Sequence, residues 1–413
     1  MKPAPFQLFT LVLTLAASLP AFAESFTVEA AVRHALSNNA DLAAARLGVD
    51  EARGRLAQSG LRPNPTLDGE FKPNVRGREG SLSLGFTQKF PLASRLHLEK
   101  AVSRGHLAVA EAEVREAERR LSLEVRSAAI HLAALDALGA LRELQTRNGR
   151  ELAAASAKSA AIGEASSLDS AQFELETSQL ALHRVQTESA RDELASQLRL
   201  LLGLPPEGPL GIAEPLTTTH TPAASIGNLE QRPDLIAAKA RHEAANQAVE
   251  LARVGRWEDV SVGLFGEVAR TRDEPLGIET EGLIGLRVSL PLPLWNKNSG
   301  RIAEASATAL RAEKETDALA RRIRSETAVA LAQMQAATAL AKALGDDLLP
   351  KARLIEERLQ RLHAGGQSPV SDLLRARERR LQLEASLIEA RRDFHLARAR
   401  HLAATGTILP PAP

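Results

Sequence analysis

The sequence predicts a mainly α-helical protein carrying four β-strands that belong to a transmembrane β-barrel, and three observations predict it. No Pro occurs over 92–204 or 294–349, and Ala, Leu, Glu and Arg dominate there, the composition of long coiled-coil helices. Between such stretches, around 66–90 and 260–290, apolar residues instead alternate with small polar ones. Finally, the second half repeats the first. Glu79-Gly80 with Leu82, Leu84, Phe86 and Phe90-Pro91-Leu92 recurs as Glu281-Gly282 with Ile284, Leu286, Val288 and Leu292-Pro293-Leu294. Gly163 and Asp169 return as Gly366 and Asp372, and Gly203-Leu204-Pro205-Pro206 answers to Gly406 through Pro410-Pro411. So long a unit is no solenoid repeat. It implies two tandem pseudo-repeats, 24–215 and 216–413, packed about a pseudo-symmetry axis.

Residues 1–23 read as a secretory signal peptide: Lys2 supplies the positive start, Phe6 to Leu19 the apolar core and Ala21-Phe22-Ala23 the cleavage site. The chain has no Cys, so disulfides, thiolate metal sites and an acylated N-terminal cysteine are excluded, and an exported chain of this kind points to a Gram-negative envelope. Beyond the signal no run approaches the ~20 apolar residues of a membrane-spanning helix. With 52 basic and 51 acidic residues, nucleic acid is not an expected partner and composition sets no preference for the sign of a cargo.

Six helices are predicted: 27–59, 94–162, 166–202, 229–257, 298–363 and 369–404. The second would extend ~100 Å at 1.5 Å per residue, so the molecule is elongated. The first and third together match its length, as the fourth and sixth match the fifth, which implies short helices stacked end to end along long ones. The fifth carries a heptad seam: Ile323, Thr327, Ala330, Met334, Ala337, Ala341, Leu344, Leu348. The second runs Leu107, Ala110, Val114, Ala117, Leu121, then steps by four to Val125 before Ala128, Leu132 and Leu135, a stutter that relaxes supercoiling.

Two β-hairpins are expected. In the first, over 66–90, Leu67, Phe71, Leu82, Leu84, Phe86 and Phe90 share a face opposite Ser81, Ser83, Gly85, Thr87 and Lys89, with a polar turn over 72–80. In the second, over 260–290, Val260, Val262, Leu264, Val268, Ile284, Leu286, Val288 and Leu290 lie opposite Ser261, Gly263, Phe265, Glu267, Gly285, Arg287 and Ser289, with a longer polar turn over 270–282. Strands of this length with one apolar face suit a bilayer, yet four cannot close. Open edges in lipid leave unpaired backbone groups, so other copies must complete the sheet. Three copies make twelve strands, whereas two would make an eight-stranded barrel filled by its own side chains. Trp257 and Trp295, at the helix-proximal ends of the second hairpin, are expected membrane-interface anchors. The alternative is a small soluble sheet packed on a coiled coil.

The chain resembles the TolC-type outer-membrane efflux proteins over nearly all of its mature length. The resembling segments are Arg232-Pro233-Asp234-Leu235 with Ala237-Ala238, Pro291-Leu292-Pro293-Leu294 followed by Asn296-Lys297-Asn298-Ser299-Gly300, and Leu348-Leu349-Pro350 leading to Gly366, Asp372-Leu373-Leu374 and Ala376. The run from Pro291 to Ala305 looks most like the branch that includes CzcC, the outer-membrane component of heavy-metal exporters. The resemblance implies a homotrimer in outer-membrane lipid, with a twelve-stranded barrel and an α-helical tunnel reaching across the periplasm to an adaptor protein and an inner-membrane RND pump.

It also implies roles for the turns between long and short helices, which in the family form a periplasmic tip that closes the channel and meets the adaptor. Here these are Ile162-Gly163-Glu164-Ala165 and Gly365-Gly366-Gln367-Ser368, so Gly163, Glu164, Gly365, Gly366 and Gln367 are the expected adaptor contacts. Asp372 and Asp169 are the expected gate residues; threefold repetition would make Asp372 a ring of carboxylates. Arg375 stands where the family often has a second acid, and Leu362 stands close to a position often held by Tyr. Equally, Asp372 is read as an acid stabilising a helix start through the helix dipole.

The ten histidines are scattered, and His242-Glu243 lacks a second ligand because position 246 is Asn, so no metal site is expected. The run 375–380 reads as a solvated basic helix face. No nucleophile, base and orienter set and no Gly-rich phosphate loop appears, so neither an enzyme nor a cofactor is expected. The leading reading is a passive duct, for divalent metal export or, with the same architecture, drug efflux or protein secretion. The rival from another class is a periplasmic coiled-coil adaptor, which would need a lipoyl-like domain and a soluble barrel.

Overall fold

A computed structural model describes residues 24–73, 79–163, 166–213, 216, 229–273 and 277–406. The expected signal peptide lies outside them. The chain begins with β1 (Glu24–Phe26), α1 (Val28–Asn38) and α2 (Ala40–Gln58). The sequence reads 27–59 as one helix; Asn39 breaks it. Its backbone is extended, its Oδ1 caps α2 by accepting from Leu42 N (2.9 Å), and its Nδ2 donates to Leu201 O (3.0 Å). A side chain that satisfies an orphan helix donor favours a start over a continuation.

Next come β2 (Thr66–Pro73), β3 (Gly80–Phe90), α3 (Arg95–Ala161) and α4 (Ser167–Leu202). A three-residue strand, β4 (Leu210–Ile212), pairs in parallel with β1. Segments so short carry no readable alternation, and the sequence does not reveal them. The second half holds α5 (Pro233–Val254), β5 (Val260–Asp273), β6 (Gly277–Ser289), α6 (Ser299–Lys342), a π-helical turn (Ala343–Leu348), α7 (Leu349–Ala364) and α8 (Val370–Ala404). The expected 229–257 helix is instead a 3-10 turn (Leu229–Gln231) followed by α5, because Arg232 is extended and Pro233 fits only the first helical turn.

The π-turn corrects the predicted seam of the fifth helix. Ile323, Ala330, Met334, Ala341 and Leu344 are buried as expected, but Leu348 is exposed and Leu349 buried in its place. One residue of extra winding moves the apolar face on by one position. It also lies next to Pro350, whose ring would clash with the carbonyl four residues earlier in an unbroken α-helix. The single seam expected of α3 is also too narrow. Ala128, Ala129, Ile130, Leu132, Ala133 and Ala134 are all buried, because neighbours enclose the helix on several sides.

Packing follows an ordered row around α3. At one end α2, α3, α5 and α6 lie side by side; at the other the order is α4, α3, α8 and then α6 continuing into α7. Short helices thus run end to end along long ones. The main apolar core lies where the levels meet, with Val32, Ala35, Val125, Leu132, Leu198, Leu202 and Leu210 fully or almost fully buried. The two halves place matching features there. Left-handed Gly203 ends α4 against Asn38, whose carbonyl oxygen lies only 2.5 Å from where a Cβ would stand; left-handed Gly406 ends α8 against Arg232. As Asn39 binds Leu201 O, so Arg232 Nη1 donates to Ala404 O (3.1 Å), and Arg119 Nη1 to Ala403 O (2.9 Å).

Candidate functional site: the open sheet and the distal helical turns

The expected hairpins are halves of one antiparallel sheet in the order β2-β3-β5-β6. Both turns are shorter than predicted. Strand pairing runs to Pro73 opposite Gly80 and to Asp273 opposite Gly277, with 74–78 and 274–276 outside the described residues. The join is β3 against β5, from Gly80 opposite Arg270 to Phe90 opposite Val260, which welds one hairpin to the other.

Facing residues in a sheet share a side, so register sorts the side chains. Leu67, Phe71, Leu82, Leu84, Phe86, Val262, Leu264, Val268, Ile284, Leu286 and Val288 form one continuous apolar face, and the large residues among them are mostly more than half exposed. On the other face Glu70, Ser83, Glu267 and Leu283 stand in one cross-strand row. Flanking rows bring Asp68 beside it on one side and Lys72 and Glu281 on the other; Lys72 Nζ pairs with Glu70 at 3.0 Å. Nearer the helices this face turns basic, with Lys89 and with Arg287 over the Phe265 ring at 5.1 Å. Among the described residues no strand pairs with the outer edge of β2 or β6.

The sheet meets the helices at two strained turns. Ala93 and Ser94 before α3, and Asn298 before α6, adopt left-handed backbone without being glycine. Asn298 is held there by donating through Nδ2 to Ala252 O (2.6 Å), and the turn before α3 is followed by Arg95, which is ion-paired with Asp259 (2.8 Å). Trp257 and Trp295 flank this junction, as expected for residues at the ends of the second hairpin; Trp257 lies beside the Arg256 guanidinium (5.6 Å), and Trp295 is 91% exposed.

At the opposite end, left-handed Gly163 follows α3 and left-handed Gly366 follows α7. The second turn is a Schellman closure: Gln367 N donates to Leu362 O (2.8 Å) and Gly366 N to His363 O (2.9 Å), with Gly365 as the cap. Glu164 lies outside the described residues. Ser166 Oγ caps α4 by accepting from Leu168 N (3.1 Å), and Asp169 lies in that first turn. Asp372 occupies the first turn of α8 with its side chain exposed and Ser368 Oγ at 3.5 Å. Arg375 is one turn further on and lies over the Phe173 ring of α4 (5.3 Å).

The run 375–380 is only in part the solvated face that sequence suggests: Arg375 and Arg379 are exposed, but Arg377 and Arg380 are not. Arg377 reaches both Glu151 of α3 (3.5 Å) and Glu356 of α7 (3.2 Å), while Arg380 pairs with Glu356 and Glu384, so this charge lattice ties three helices together. Among the described residues no group of three or more His, Cys, Asp or Glu is placed to hold a metal ion. His395 is half-buried: desolvation, reinforced by Arg398 and Arg391, lowers its pKa to about 4 and keeps it neutral. No described helix is long and apolar enough to cross a membrane.

Comparison with known proteins gives a family match over part of the chain and a fold for nearly all of it. Residues 228–407 match the outer membrane efflux protein family, and no curated protein matches the chain. Among solved structures it is similar to CusC, whose crystal structures concern folding and transmembrane channel formation, at 20% identity and a TM-score of 0.74 over 94% of both chains. It is similar to the outer membrane protein VceC of Vibrio cholerae at 20% identity, a TM-score of 0.72, and coverage of 92% of this chain and 96% of that one. The open-state outer membrane channel MtrE of Neisseria gonorrhoeae aligns at 17% identity and a TM-score of 0.74, over 92% and 89%. The chain therefore has the fold of these outer-membrane proteins.

Proposed function

We propose that this chain is an outer membrane efflux protein: one protomer of a homotrimeric outer-membrane duct that passively exports what an inner-membrane RND pump and a periplasmic adaptor deliver. The observation that carries this reading is the four-stranded sheet with one exposed apolar face, one charged face and two edges that no described strand pairs. Such a sheet is unstable alone in lipid and complete when three copies contribute twelve strands. The helices support the same number, since a row of four open at both sides becomes a ring of twelve.

Divalent cations are the cargo we assign. With the apolar face toward lipid, Asp68, Glu70, Glu267 and Glu281 face the lumen, and threefold repetition turns the Glu70 and Glu267 row into a carboxylate ring that attracts cations. The resemblance of 291–305 to the CzcC branch points the same way. At the distal end, Asp372, Asp169 and Arg375 form the gate, Gly163, Glu164, Gly365, Gly366 and Gln367 the adaptor surface, and Trp257 and Trp295 anchor the barrel at the membrane interface. Deleting the gene should sensitise cells to zinc, cobalt or cadmium. Sensitivity to organic dyes and antibiotics alone would replace metal cargo with drug efflux, and purified protein that stays a soluble monomer without detergent would remove the duct altogether.

A further inference from the structure

Between the charge lattice and the middle of the molecule, the interface of α3 with α8 contains a buried polar layer. Gln145 and Asn148 of α3 are 0% and 3% exposed, and the half-buried Glu378 of α8 faces them. Gln145 Oε1 accepts from Arg142 Nη1 (2.8 Å). Glu378 Oε1 receives two long contacts, from Gln145 Nε2 and Gln382 Nε2, both at 3.4 Å. Asn148 Nδ2 lies near the same carboxyl but donates to Leu374 O (3.1 Å). Two buried acceptors are left without donors: Asn148 Oδ1 and Glu378 Oε2.

Buried acceptors without donors are costly, and among the described residues no side chain donates to either of these two. One proton would serve both. We propose that Gln145, Asn148 and Glu378 form a proton-binding joint between α3 and α8: protonated Glu378 donates its Oε2 hydroxyl to Asn148 Oδ1 and holds the helices together, and loss of that proton leaves a buried carboxylate that loosens them. Burial, rather than the charged groups facing the carboxyl, is what favours this chemistry. Burial pushes the Glu378 pKa up; the amides of Asn148 and Gln382 and the charge of Arg142 of α3 oppose the rise without cancelling it, and Glu176 of α4 adds a smaller push upward. On the adjoining face Glu356 of α7 is taken up by Arg377 and Arg380, and Arg375 is engaged by Phe173. Because the folded chain binds this proton more tightly than the unfolded one, packing is firmest at low pH and weakens as pH rises through the raised pKa. If the duct reading holds, the joint makes the opening of the helical tunnel pH-dependent.

The test is hydrogen exchange of the assembled, detergent-solubilised protein from pH 5 to 8, corrected for intrinsic exchange and read on segments 141–152 and 374–385. Wild type should lose protection as pH rises. Glu378→Gln should show the low-pH level at every pH; Glu176→Gln should move the midpoint down; and Asn148→Asp, which sets a second carboxylate beside the first, should move it up by ~1–3 units. A flat wild-type profile, or a Glu378→Gln profile that still tracks wild type, overturns the joint. Bilayer conductance recorded on the same samples separates the two readings. Conductance without pH-dependent protection leaves the duct and removes the joint; protection that titrates in a protein that never conducts does the reverse.

Discussion

Arg232 shows how much one side chain can hold. Its guanidinium is almost fully buried, pairs with Asp234 (2.6 Å) and Glu326 (3.0 Å), and also donates to Ala404 O, so the start of α5 is tied to the end of α8. Burial alone would raise the Asp234 pKa, but the bonds from Arg232 outweigh it and hold it below the usual carboxylate value. That contribution is therefore complete above the ordinary Asp range and is lost as pH falls through the depressed pKa. Arg232→Ala should cost about 3–5 kcal/mol in denaturant unfolding, because it leaves a buried carboxylate and a helix-terminal carbonyl unpaired. Lys at 232 should restore little of it, since one ammonium cannot reproduce the fork. The motif Arg232-Pro233-Asp234-Leu235 was readable in the sequence; its partners Glu326 and Ala404 were not, because only folding brings the two ends of the half together.

At the scale of elements, the two edge helices of the distal row are those left unpartnered. α4 presents Leu168, Leu175 and Leu182 at heptad spacing, each about two-thirds exposed, and the other edge presents Leu348, Ile355 and Leu362 at the same spacing. Such rows are coiled-coil seams awaiting a partner, and in a trimer each edge meets the opposite edge of the next copy. Leu175→Glu or Ile355→Glu should leave the helical circular dichroism unchanged while shifting sedimentation from trimer to monomer. A trimer that tolerates both changes would place these rows outside the subunit contact. Periodicity found the long helices and the strands correctly, but it could not foresee the break at Asn39 or the π-turn at 343–348. Both arise from local bonding and winding that leave the hydropathy pattern almost unchanged.

For the whole molecule, the decisive property is how register distributes a nearly balanced charge. Composition predicts no preference for cargo sign, yet the sheet gathers Asp68, Glu70, Glu267 and Glu281 on the face that three copies would turn inward. In planar bilayers under a salt gradient the wild-type reversal potential should show cation preference. Glu70→Gln combined with Glu267→Gln should move it toward zero without abolishing conductance, and an unchanged potential would assign selectivity to the distal turns instead. The candidate tip was legible because a left-handed helix exit nearly demands Gly, as at Gly163 and Gly366. The carboxylate row was not, because Glu70 and Glu267 fall into one row, on either side of Ser83, only through the pairing of β3 with β5.

By itself the amino-acid order determined what is local or periodic: helix lengths from the spacing of apolar residues and the placing of Pro, and strand faces from alternation. Tertiary structure alone decided what depends on residues far apart in the chain: the weld between the hairpins, the order of helices around α3, the charge lattice at Arg377 and the polar layer at Glu378. The physical reason is that backbone preferences act over a few residues. Burial and electrostatics depend on distance in space, which the chain acquires only once it has closed on itself.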